Sequence, residues 1–174
     1  MSETNAEVDE RYLFHYAAEY RDRGYSVFPL RTDTPAIPRL ERPTLGQLAI
    51  WFGVQARGSF NIGIVTGEIS GLVVVEFDRE DEVLCWLKQR PATPLMVSTG
   101  CGGRHLYYQY PADGLAARGL HSKSRGFRIR ADGEYVTAPP SRDSKTGRLY
   151  EWLGNHEEYS LADVPVLHSS WLVA

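Results

Sequence analysis

Residues 71–80 read GLVVVEFDRE, a run of three valines that closes on two acids. Successive side chains of a strand point to opposite faces, so Val73, Val75 and Phe77 share one face while Val74, Glu76 and Asp78 share the other. The apolar run predicts a buried strand. Two carboxylates side by side at its end repel each other unless water, a base or a cation lies between them. Taken by itself, the pair also fits a strand that runs out into solvent and opens a helix in DREDEVLCWLK (78–88).

The 174 residues around this strand suffice for one well-filled core and predict a single domain over 1–174, with 1–10 disordered. A composition of 43% apolar and 24% charged residues is that of a globular chain. No apolar stretch approaches the roughly 20 residues of a membrane span, so no membrane partner is expected. The start MSETNAEVDE is acidic and polar, unlike a secretory signal or transit peptide. Cys85 and Cys101 lack metal or redox spacing and are too few for a disulfide scaffold, which points to a reduced, cytoplasmic setting. The net charge of −3 argues against a surface coated for nucleic acid. Locally the balance differs: RGLHSKSRGFRIR (118–130) carries Arg118, Lys123, Arg125, Arg128 and Arg130 with no acid, and Arg142, Lys145 and Arg148 follow. Such a segment is either a solvated basic face or an anion site.

Leu13, Tyr16, Ala17 and Tyr20 recur at helical spacing, with Gly24 as a stop. YSVFPL (25–30) reads as a strand and 31–43, with three prolines, as loop. Thr44 with Gln47 three residues on predicts a reciprocal cap for a helix carrying Leu45, Leu48, Trp51 and Phe52 on one side. Strands are then expected in NIGIVTG (61–67), LVVVEFD (72–78), PLMVST (94–99), RHLYYQY (104–110) and RLYEWL (148–153), with a helix at 80–89. GFRIRA and EYVTA flank Asp132-Gly133, a tight-hairpin signal. The order predicts an α+β domain, a mostly antiparallel sheet with helices packed on one side.

In RHLYYQY, alternation puts His105, Tyr107 and Gln109 on one face and Leu106, Tyr108 and Tyr110 on the other. His105 follows the glycine-rich STGCGG (98–103), a turn through which backbone N–H groups can approach a phosphate. His15, His121, His156 and His168 form no metal-ligand spacing. A P-loop, dinucleotide fingerprint, nucleophile elbow and zinc cluster are all absent from the sequence. The motifs AAEYRDRGYSVFPL, NIGIVTGEISGLVVVEFD, STGCGGRHLYY, ADGEYVTAPPS and YEW stand in one order over about residues 12–153. By them the chain resembles the bifunctional primase–polymerase domains of plasmids, phages and integrated elements, within the archaeo-eukaryotic primase superfamily.

The resemblance implies an RRM-like primase core, a mostly antiparallel sheet with flanking helices, and metal-dependent nucleotidyl transfer from nucleoside triphosphates on a DNA template or primer. It maps the catalytic acids onto Glu76 and Asp78, as ligands of Mg²⁺ or Mn²⁺, and the catalytic histidine onto His105. The nucleotide-binding set it implies is Thr99, Gly102, Gly103, Arg104, His105, Arg128 and Arg130. A helicase would be a separate partner. One element departs from the pattern: the Asp expected two residues before Arg130 is Arg128, and the first acid is Glu rather than Asp. Three outcomes follow. Asp132 supplies the missing oxygen; Arg128 pairs with Glu76 or Asp78; or Arg128 contacts phosphate while one metal remains. The reading is therefore a polymerase of reduced activity. Its alternative is an inactive nucleotide- or single-strand-binding protein, for which segment 118–130 would pair phosphates and the tyrosines of HLYYQYP would stack bases.

Overall fold

In the computed structural model, which describes residues 10–36, 41–54, 60–114, 121–122 and 126–171, the first helical spacing becomes α1 (Glu10–Asp22). Leu13, Ala17 and Tyr20 of α1 are buried on one stripe, and Gly24 leaves the helix in the left-handed region at φ 96°. The acidic start 1–9 and the cations Arg118, Lys123 and Arg125 lie outside the described residues.

Strand β1 (Val27–Arg31) pairs antiparallel with a short β2 (Thr34–Pro35) inside the stretch expected to be loop. Pro35 is tolerated there because β2 is the sheet edge, where a missing N–H leaves no ladder bond unmade. Helix α2 (Leu45–Ala49) begins with the reciprocal cap: Gln47 N–H donates to Thr44 Oγ1 at 3.2 Å and Thr44 N–H to Gln47 Oε1 at 2.8 Å. It passes into a π-helical turn, Ile50–Val54. Leu48 and Phe52 are buried, but Leu45 is 46% exposed, because so short a helix meets the core only in its second turn.

The remaining strands are β3 (Phe60–Val65), β4 (Leu72–Phe77), β5 (Met96–Ser98), β6 (Arg104–Gln109), β7 (His121–Ser122), β8 (Phe127–Arg130), β9 (Tyr135–Ala138) and β10 (Glu151–Leu153), with helix α3 (Glu80–Leu87) after β4. Among the described residues they form two sheets rather than one, ordered β2-β1-β3-β9 and β10-β5-β6-β4-β8-β7, and each pairing between these strands is antiparallel. Because β6 lies between β4 and β5, the unit β4-α3-β5 is a split β-α-β. The architecture is α+β.

The valine run is buried on both faces, and each face has its own core. Val73, Val75 and Phe77 pack with Val83 and Trp86 of α3. Leu72 and Val74 pack with α1, with Ile62 and Ile64 of β3, and with Val136 of β9. Helices therefore flank both faces of the larger sheet, which corrects the expectation of one side. Among the described residues no helix is long and apolar enough to cross a membrane.

Asp132-Gly133 does not make a hairpin. β8 pairs with β4 and β9 with β3, so the turn carries the chain from one sheet to the other. Tertiary contacts hold it in that role. Asp132 accepts hydrogen bonds from the Glu68 N–H at 3.0 Å and from the Tyr110 hydroxyl. Thr66 donates to the Ala131 carbonyl at 2.6 Å. A Cβ on Gly67 would overlap Asp132, so only glycine lets the two turns touch. Asp132 is thus bound into this junction rather than placed as a third acid.

Candidate functional site

Strand register assembles the site. In the larger sheet Val97, His105, Glu76 and Arg128 face one another in a row across β5, β6, β4 and β8. Directly opposed residues of paired strands share a face, so these side chains project to the side that carries Val74 and Tyr107. Arg130, opposite Val74, is the diagonal neighbour of Glu76 and reaches it: Nε donates to Oε2 at 2.7 Å. His105 Nε2 lies 3.4 Å from the other carboxylate oxygen. Arg130 Nη1 turns the opposite way to Glu134 Oε1 at 3.3 Å, and Glu134 Oε2 accepts the Ala131 N–H at 3.3 Å. Arg130 is therefore held between two carboxylates.

Glu76 is 17% exposed, and burial alone would raise its pKa. The hydrogen bond and attraction of His105, together with the Arg130 pair, outweigh burial and lower it to about 2. Asp78, just past the strand end, is 75% exposed. Its Oδ2 is 3.6 Å from Arg128 Nη2, so Arg128 meets Asp78 while Arg130 takes Glu76.

His105 is buried, with its ring 5.9 Å from that of Tyr150, and its Nδ1 has no hydrogen-bond partner among the described residues. Buried polar atoms are rarely left so, and such a nitrogen is a place for a ligand or an ordered water. The glycine turn before it is closed on itself. Gly102 N–H donates to the Thr99 carbonyl at 2.9 Å, Gly103 N–H to Thr99 Oγ1 at 2.8 Å, and Thr99 N–H to the Gly103 carbonyl at 3.1 Å. Gly102 has φ 94°. A Cβ on Gly103 would overlap the Phe77 carbonyl oxygen, so this glycine lets β6 start against the end of β4. Gly103→Ala is expected to cost about 1–3 kcal/mol by overpacking, read as a lower urea midpoint with an unchanged slope.

The structure separates some expected site residues from the rest. Arg104 points to the α3 face, where it bridges Glu80 at 2.8 Å and donates to Ser98 and the Gly103 carbonyl. Tyr107 and Tyr108 are fully buried, Tyr108 accepting from Trp86 Nε1 at 3.0 Å, so they are core rather than stacking surface. Glu134 and Tyr150 join the site without having been singled out in the sequence. Only the i,i+4 spacing of Arg130 and Glu134 hinted at the former.

The donors offered to a hard cation are the two carboxylates at the end of β4. Glu76 and Asp78 could share an ion whose remaining ligands are phosphate oxygens and water. A third carboxylate is missing from the pair: among the described residues no group of three His, Cys, Asp or Glu side chains stands together to hold a metal. A guanidinium stands opposite Glu76 instead.

A search of curated proteins finds no match to the chain. The family model for the bifunctional DNA primase/polymerase, N-terminal domain, matches residues 17–166. That match runs from within α1 to beyond β10 and takes in every residue of the row, so the chain belongs to the bifunctional DNA primase/polymerase family.

Proposed function

We propose that the ends of β4, β6 and β8 form the nucleotide site of a primase–polymerase whose metal-dependent transfer is weakened by Arg128. The observation that carries this reading is the Glu76 carboxylate held between His105 and Arg130, with Arg128 facing it across the strand pair. Guanidinium forks match phosphate oxygens, so Arg128 and Arg130 are suited to an incoming triphosphate. Glu134 gives Arg130 a second anchor beside Glu76, which fixes the guanidinium at the strand ends. His105 offers its unpartnered Nδ1 to a phosphate oxygen or its water.

A divalent ion bound with the nucleotide would supply Lewis-acid polarisation and a more acidic primer hydroxyl. Glu76 and Asp78 would hold it. The order β5-β6-β4-β8, with its split β-α-β, supports reading the larger sheet as RRM-like. A DNA template or primer, a separate helicase and a replication or mobile-element setting belong to the same proposal.

Titration calorimetry with a deoxynucleoside triphosphate, with and without Mn²⁺, tests the reading beside a primer-extension assay. Triphosphate should bind even without metal, and His105→Ala should weaken it about tenfold, the equivalent of one hydrogen bond of about 1.4 kcal/mol. Absence of heat from folded protein in both conditions rejects the site. A second reading, a binding protein without catalysis, is favoured by the engagement of both Glu76 oxygens. Binding without any Mn²⁺-dependent extension would decide for it.

A further inference from the structure

Beside the His105 turn lies a second charged feature that the nucleotide site does not use. Residues 142–148 form a closed loop in which Asp143 accepts the N–H groups of Lys145 at 3.0 Å and Thr146 at 2.8 Å. The Thr146 N–H bond is the main cause that holds the Asp143 carboxyl below its ordinary range. The loop is tied down at both ends. Thr146 Oγ1 donates to the Gly100 carbonyl at 2.9 Å, inside the turn that leads to His105. Asn61 donates to the carbonyls of Arg142 at 2.7 Å and Thr32 at 3.2 Å, clamping the loop against the β1–β2 turn.

The outcome is a rigid surface bearing Arg31, Arg142, Lys145 and Arg148, all exposed. Among the described residues none of the four takes part in a salt bridge. Two local acids offset part of this charge: Asp143 accepts the Lys145 N–H and is further held down by the Lys145 charge, and Asp33 accepts a hydrogen bond from Ser144 at 2.6 Å, which leaves four cations against two carboxylates. An excess of exposed cations on a fixed backbone, in a chain of net charge −3, suits a polyanion.

We propose that this loop, with Arg31, binds the phosphate backbone of single-stranded DNA and leads it past the His105 turn. Charge complementarity and continuity with the site through Gly100 identify the occupant. The proposal rests on the nucleotide-processing reading for its choice of DNA, and its experiment is independent of triphosphate binding. Phosphate pairing of this kind is sequence-independent and salt-dependent.

The test is fluorescence anisotropy of a labelled oligothymidylate over a range of salt, without nucleotide or metal. Lys145→Gln/Arg148→Gln is the primary variant, and adding Arg142→Gln gives a second. Loss of two phosphate contacts should reduce the slope of log K against log salt by about 1.4 and weaken binding on the order of tenfold at 0.1 M salt. Thermal unfolding and triphosphate calorimetry should stay unchanged. Unchanged affinity and slope in both folded variants overturns the proposal, as does a wild type that binds no oligonucleotide at low salt. Binding to phosphatidylserine vesicles but not to DNA, abolished by the same variants, also overturns it in favour of a membrane surface. His105→Ala serves as the control. If triphosphate binding is absent in every form while the variants still lose DNA, the site reading fails and the loop assignment stands.

Discussion

Arg128→Asp is expected to bind Mn²⁺ about ten- to hundredfold more tightly than wild type. Arg128 faces Glu76 in the β4–β8 register and lies 3.6 Å from Asp78, so the substitution puts a third carboxylate where a cation now repels metal. At about 4 Å and intermediate dielectric a unit charge pair is worth on the order of several kcal/mol, and exposure of both side chains reduces that to the range stated. Without metal the variant should be slightly less stable than wild type, because three carboxylates repel and the exposed Asp78 pair is lost. With Mn²⁺ at a hundred times its dissociation constant, mass action adds about 2.7 kcal/mol, a rise of roughly 5–10 °C for a chain of this size. Differential scanning fluorimetry over a Mn²⁺ series reads both effects. Equal Mn²⁺ affinity in the two proteins would show that Arg128 does not obstruct the site.

Arg130→Met should be the most damaging single change at the site. It leaves Glu76, 17% exposed, with only His105 beside it. Removing one partner of a largely buried charged pair costs about 2–3 kcal/mol, a fall of roughly 4–12 °C in Tm. Acid titration carries a second signature. The Glu76 carboxyl is lowered from 4.5 to about 2 on folding, so its contribution is fully present above about pH 4.5. It is lost as pH falls from there through about 2, because the unfolded chain takes up the proton first. The difference amounts to about 3 kcal/mol in wild type. In Arg130→Met the opposing burial gains weight, and this acid-labile part should shrink. Wild-type acid dependence in the variant would mean that His105 alone sets the carboxyl.

Much of the fold was legible because it is written in local periodicity. Alternation through LVVVEFD put Val73 and Val74 on opposite faces, each of which has its own core in the structure, and helical spacing found the buried stripe Leu13, Ala17 and Tyr20. The Thr44–Gln47 cap depends on two residues three apart, and it formed as read. The Asp132-Gly133 signal is equally local, yet the structure overrode it. Partners from elsewhere in the chain, Glu68, Tyr110 and Thr66, hold that turn as a crossing between sheets.

For the candidate site the division is the same. The family resemblance named Glu76, Asp78, His105 and the arginine in place of an acid, but it could not say which guanidinium meets which carboxylate. That choice is set by register: Arg128 lies opposite Glu76 and still reaches outward to Asp78, while the diagonal Arg130 takes Glu76 and is shared with Glu134. Likewise, RHLYYQY shows from its alternation that Tyr107 and Tyr108 face opposite ways. Burial of both needed a helix on one face and a second sheet on the other. The sequence by itself determined the longer strands, their faces and the chemical types brought to the end of β4, but not the two-residue edge strands β2 and β7. Only the tertiary structure decided the pairings, because a side chain's partner across a sheet depends on the register of strands whose paired residues lie 27 to 56 positions apart in the chain, which no local pattern encodes.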